Sequence, residues 1–137
     1  MLPLRRIRGA SVTTWTPAEF AAHLATAGKR LDPIVGRTVN RAAMKIKEDW
    51  RRRAAEKNPP GSASAKYPST IVQRKARVEN GWHVAEVETL PRGQGKLGVI
   101  LEYGGASNAP QRSNVAAAEA EAPELAKWLA KAAAEVI

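Results

Sequence analysis

Cysteine is absent from this 137-residue chain, which excludes a disulfide, a thiolate metal site and a cysteine nucleophile. Histidine occurs only as His23 and His83, far apart and on elements of different type. Neither has a carboxylate or a second histidine at metal-ligand spacing. Aromatic residues make up 5% of the chain, so the core must be mostly Ala, Val, Ile and Leu with a few rings as anchors. No apolar run approaches the roughly 18 residues that a membrane span needs. Met1-Leu2-Pro3-Leu4-Arg5-Arg6-Ile7-Arg8 places its charge after the apolar residues, unlike a secretory signal. Acid is scarce too: 13 Asp and Glu against 22 Lys and Arg leave a formal charge of +9, which favours an anionic partner.

What remains is one domain with a modest core. Residues 1–15 form an extended basic arm containing Arg5, Arg6 and Arg8, either frayed in solvent or laid on a neighbouring subunit. Thr16-Pro17-Ala18-Glu19 is a capping box with proline at the first helical position, and Trp15 and Phe20 sit where a hydrophobic staple places them. The first helix is expected to stop at Gly28. Asp32-Pro33 repeats the start signal, and Val35, Val39, Ala42, Ile46, Trp50 and Ala54 recur at three- and four-residue spacing, predicting a long amphipathic helix from Pro33 to about Lys57. Its reverse face is basic, with Arg37, Arg41, Lys45 and Arg52, and Arg51-Arg52-Arg53 closes it. That face is either a solvated helix surface or one turned to a protein partner or to DNA.

Residues 58–69 have the composition of a flexible loop. Ile71–Val78 and Trp82–Thr89 then flank Asn80-Gly81, a strong hairpin signal. Pro91–Lys96 is expected to be the next turn, and Leu97, Val99, Leu101 and Tyr103 alternate as a third strand does. Glu102 would then end a strand, before Gly104-Gly105 turns the chain. From Asn114 the chain is helical in composition, with Leu125, Trp128, Leu129, Ala132 and Val136 as its apolar stripe and Pro123 as an expected kink or restart. The fold class is therefore α+β: a long amphipathic helix and a C-terminal helix packed on a small antiparallel β-meander, spanning residues 16–137. The terminal helix is net acidic, and its charge complements the basic helix as head-to-tail contacts between copies require.

No catalytic constellation is visible, so no enzyme activity, metal or cofactor is expected. Glu86, Glu88 and Glu102 lack a partner that would set a proton donor, and Glu86 and Glu88 read as solvated strand-face carboxylates. Pro91–Lys96 has neither the spacing nor the strand-to-helix context of a phosphate-binding loop. No zinc-finger, RNP or helix-turn-helix pattern is present.

One segment resembles a known family. Ile100-Leu101-Glu102-Tyr103-Gly104-Gly105, then Ala109-Pro110-Gln111, then Ala116-Ala117-Ala118-Glu119 are similar to the closing half of a tail-component family of tailed bacteriophages, which includes neck and tail-completion proteins encoded between the head genes and the major tail protein. Where that family usually has an aromatic-hydrophobic pair after the proline, this chain has Gln111-Arg112-Ser113. The resemblance covers about residues 33–137. It implies a virion structural protein, assembled in the host cytoplasm as a homo-oligomeric, hexameric ring between head connector and tail tube. Its partners would be other neck and tail proteins and DNA passing through the lumen. Glu102, Tyr103, Gly104, Gly105 and Pro110 would then shape an interface loop, with Glu102 as a structural or interface carboxylate whose nearest cations are those of the long helix, in its own subunit or the next. The alternative from another class is a sequence-nonspecific nucleic-acid-binding protein, on the strength of the charge.

Overall fold

The computed structural model describes residues 4–8 and 11–136, with side chains from Trp15 to Val136. Strands β1 (Leu4–Arg8) and β2 (Ser11–Trp15) precede helix α1 (Pro17–Lys57). A 3-10 turn at Pro68–Thr70 leads into β3 (Ile71–Glu79) and β4 (Trp82–Thr89). A second 3-10 turn, Gly93–Leu97, runs into the short helix α2 (Gly98–Tyr103), and α3 (Ser113–Val136) follows. The class is α+β, with α1 packed on α3 and on the β3-β4 sheet.

Helix α1 is the spine, 41 residues long and therefore about 60 Å from end to end. The capping box opens it: Glu19 N donates to Thr16 Oγ1 at 3.2 Å and Thr16 N donates to Glu19 Oε2 at 3.1 Å. The expected break between Gly28 and Pro33 does not occur, and the two expected helices are one. Proline inside a helix costs about 3 kcal/mol through its missing donor and its clash with the preceding turn. Packing on either side of the break offsets that cost. Ala27 is buried, Asp32 Oδ1 lies 2.8 Å from His83 Nε2, and Gly36 lies against the same imidazole.

The hairpin is as its turn dictates. Asn80 and Gly81 have φ of 50° and 81°, the two positive values of a type I′ turn, and Glu79 pairs with Trp82. One extra residue in β3 between Arg74 and Arg77 forms a bulge, and Asn40 of α1 accepts the Ala76 N–H there at 3.1 Å. Ion pairs of Arg74 with Glu88 and Arg77 with Glu86 lie on the outer face, so these glutamates are the solvated strand-face groups expected. Ala85 and Val87 turn towards α1.

The third strand does not form. Its alternation is real, but Gly98, Leu101 and Glu102, at i, i+3 and i+4, are the positions that turn inward. The 3-10 turn at Gly93–Leu97, expected as a plain hairpin turn, delivers the chain already helical, and a Cβ on Gly98 would meet Thr89 Oγ1 at 2.8 Å. The chain therefore crosses the end of β4 and leaves the sheet with two strands.

Helix α3 runs back along α1: Ala117 packs with Trp50 and Ala54, and Trp128 stacks under Arg41. Pro123 neither kinks it into two elements nor restarts it, because Glu119 and Pro123 are both exposed and solvent can satisfy the carbonyl left without a donor. Residues 58–69 are better anchored than their composition suggests. Asn58 and Tyr67 are buried, Asn58 and Gln111 exchange side-chain hydrogen bonds, and Gln94 donates to the Ala63 carbonyl. Along the expected arm the backbone pairs Leu4–Arg8 with Ser11–Trp15 instead of running singly; the side chains of Arg5, Arg6 and Arg8 lie outside the described residues.

The core is small and sits at the C-terminal end of α1: Trp50, Ala54, Tyr67, Ile71 and Ala117, with Ile46, Val87 and Leu101 against them. Two glycines test this packing in opposite directions. Gly95→Ala would set a Cβ 1.9 Å from the Leu90 carbonyl oxygen and should destabilise the protein by about 2 kcal/mol or more in urea unfolding. Gly28→Ala meets nothing within 4 Å in mid-helix and should stabilise by about 1 kcal/mol in the same measurement.

Candidate assembly site

Glu102 is the buried acid around which the C-terminal half of the chain converges. It is 1% exposed. Its Oε1 accepts the indole N–H of Trp50 at 2.8 Å and the phenol of Tyr67 at 2.9 Å. Its Oε2 accepts the backbone N–H of Ser113 at 2.7 Å and of Asn114 at 3.3 Å. Every partner is a donor, so both oxygens act purely as acceptors.

The four donors come from three parts of the chain, each for a local reason. Trp50 lies in the apolar stripe of α1, and Tyr67 is the last residue before the turn into β3. Ser113 and Asn114 are the first residues of α3, whose leading N–H groups have no partner within the helix. Arg112, at φ 53°, offers no capping side chain, so Glu102 caps α3 from outside and meets its dipole with negative charge. Backbone bonds from Gln111 N to Leu101 O and from Arg112 N to Glu102 O hold α2 alongside that helix start. Burial, and then the hydrogen bond to Glu102, push the Tyr67 phenol well above its ordinary range.

The sequence leaves Glu102 as a structural or an interface carboxylate with the cations of the long helix nearest, and within the chain it takes the structural place. It is interior, and its nearest partners are neutral donors. The residues beside it do face outward. Tyr103 is 61% exposed, Val99 72% and Ile100 47%, and Tyr103, at i+4 and i+3, shares their side of the helix. Asn114 Nδ2 donates to the Tyr103 oxygen at 2.9 Å and fixes the ring. Gly104, at φ 89°, ends α2; Gly105 bonds to Asn108, and a Cβ on Gly104 would press within 3.1 Å of Pro110.

The basic face of α1 is not one free surface. Arg41 lies 5.2 Å from the centre of the Trp128 ring, with Lys131 5.1 Å from the same ring. Arg51 Nε donates to the Ile71 carbonyl, Arg52 pairs with Asp49 and Glu56, and Arg53 pairs with Asp49. Burial raises the Asp49 pKa, but hydrogen bonds from Arg53 and Arg52 outweigh it and hold the carboxyl below its usual range. Lys45 lines a charged cleft of about 500 Å³ between α1 and α3 with Glu48 and Glu121. Acidic α3 thus meets the basic helix of its own chain. Arg37 remains exposed beside His83 and Lys75.

Sequence reasoning missed the His83–Asp32 contact, whose partners stand 51 residues apart. Among the described residues no group of three or more His, Cys, Asp or Glu is arranged to hold a metal ion, and no helix is long and apolar enough to cross a membrane.

Glu102→Gln puts an amide against donors whichever way it turns, so it should cost about 3 kcal/mol in urea unfolding. Tyr67→Phe should cost about 1 kcal/mol at neutral pH. Because the Tyr67 pKa is raised in the folded state, its contribution is complete below pH 10 and is lost as pH climbs further. The wild type should therefore lose stability above about pH 10 more steeply than Tyr67→Phe, followed by circular dichroism. No protein-family model matches this chain, and no curated protein or solved structure matches it either.

Proposed function

We propose that this chain is a structural subunit of a tailed bacteriophage virion, a neck or tail-completion component that assembles into a homo-oligomeric, hexameric ring at the head-tail junction or the top of the tail. One observation carries the assembly part of this reading. The accessible surface is 9273 Å², about a third more than the 7,000 Å² typical of a folded monomer of 14.8 kDa. The architecture is extended: a helix of about 60 Å, the β3-β4 sheet and a second helix meet in a core at one end. An apolar groove of about 320 Å³, lined by Val39, Ala43, Ile46, Ala85, Val87 and Leu125, stays open between them. A chain whose surface is this extended for its mass is suited to being completed by neighbours.

The phage part rests on the resemblance of Leu101-Glu102-Tyr103-Gly104-Gly105 and Pro110, now with a physical role for each. Glu102 is an internal strut that docks α2 on α3, the glycines close a tight turn against Asn108 and Pro110, and Tyr103 presents the outer surface. The nucleic-acid-binding reading keeps the +9 charge but loses its densest cluster, since Arg41, Arg51, Arg52 and Arg53 all have partners within the chain.

Mass photometry and negative-stain microscopy of the purified full chain test the proposal: closed rings are expected, and a persistent monomer at micromolar concentration would contradict it. Retention on DNA that falls steeply with salt, in a protein that stays monomeric, would favour the alternative.

A further inference from the structure

A cleft of about 360 Å³ lies between α1 and the bulge of β3, with Asp32, Arg37, Asn40, Lys75, Arg77 and His83 on its walls. Its cations are unequally provided for. Arg77 pairs with Glu79 and Glu86, whereas Arg37 and Lys75 have no carboxylate partner among the described residues. The sequence makes this so. Three and four residues on either side of Arg37 stand Pro33, Ile34, Asn40 and Arg41, none of them acidic. Lys75 and Ala76 of the bulge together face Ala85, while Arg74 and Arg77 meet Glu88 and Glu86 across the strands. Arg74 and Arg77 both keep to the outer face, and Lys75, inside the bulge, falls on the side of α1.

A third donor stands with them. Asn40 Oδ1 accepts the Ala76 N–H at 3.1 Å, which fixes the two ends of the amide and leaves Nδ2 as a donor with no acceptor among the described residues. Asp32 is the one acid among the residues lining the cleft, and His83 Nε2 engages its Oδ1 at 2.8 Å. Two cations brought to one cleft by separate elements, with no carboxylate to answer them, attract an anion. We infer that this cleft binds a phosphate group through the Arg37 guanidinium, the Lys75 ammonium and the Asn40 amide. Arginine offers phosphate oxygens a planar fork and lysine a point charge. A tetrahedral group also accepts donors arriving from a helix and a strand on different sides, where a planar carboxylate takes them in one plane. Free phosphate and the backbone of a nucleic acid share this chemistry. The site lies within one chain, so it stands or falls independently of ring assembly.

Phosphorus NMR of inorganic phosphate titrated with the full chain tests it, because it reads the ligand whatever the state of assembly. The phosphate line should broaden saturably at constant ionic strength. Arg37→Gln and Lys75→Gln, both at exposed side chains, should each weaken binding roughly tenfold. Asn40→Asp keeps an acceptor for the Ala76 N–H but sets negative charge in the cleft, and should abolish binding. Lys127→Gln, an exposed lysine of α3, should change nothing. A short duplex DNA that restores the free phosphate line would name a nucleic-acid backbone as the source, and one that leaves the line broadened would name a small phosphate compound; either supports the site. No saturable broadening, displacement by equimolar acetate, or a loss in Lys127→Gln equal to that in Arg37→Gln would overturn it.

Discussion

The carboxylate of Glu102 is the constraint on which the rest of the structure depends. Burying a carboxylate is costly unless its oxygens are fully hydrogen-bonded, and here four donors from three separate parts of the chain satisfy it. The arrangement is demanding because each donor is itself buried or at a helix end. Trp50, Tyr67 and the first N–H groups of α3 would all lose a partner if the carboxylate moved. One side chain thus fixes where α3 begins, how α2 lies across it and how the loop after α1 returns to the sheet. A core this small has little apolar burial to spare, so a satisfied polar network supplies part of the specificity that packing supplies in larger domains.

That constraint also explains the outer surface. Helix α2 has only six residues, too few to hold its shape alone. Pinned from behind by Glu102 and stopped by Gly104, it can present Val99, Ile100 and Tyr103 to solvent as a fixed patch. The cations of α1 are consumed in a different way. Arg41 and Lys131 flank Trp128 at the seam between α1 and α3, and Asp49 gathers Arg52 and Arg53 within α1, so much of the charge that looks like a ligand-binding stripe has partners inside the chain. The picture is a long spine whose cations are partly held by neighbours within the chain, with a neutral patch on α2 turned outward.

Much of this was legible in the residues. Thr16-Pro17-Ala18-Glu19 gave the helix start and Asn80-Gly81 the hairpin, because each is a local signal whose geometry few other residues can supply. The α1 stripe was legible through its period, and Trp50 and Ala54 are buried as that period requires. What failed were decisions that tertiary contacts make. Gly28 and Pro33 are stop and start signals in isolation, but His83, fifty residues away, packs where the break would be. Leu97–Tyr103 satisfies both periods: alternation puts Leu97, Val99, Leu101 and Tyr103 together, while helical spacing puts Gly98, Leu101 and Glu102 together. The small glycine and the lone acid flanking Leu101 were the signal that favoured the helix. The burial of Glu102 was the least legible feature, since its donors lie 52, 35 and 11 residues away and no local pattern links them.

The central claim is that the Glu102 network is the fixed point of the fold, and hydrogen exchange tests it most directly. In native-state exchange followed by NMR, the Trp50 indole N–H and the backbone N–H of Ser113 should exchange as slowly as the most protected amides of α1 near Ala54, opening only with global unfolding. Exchange of those two protons well ahead of that core, with the rest of α1 still protected, would contradict the account.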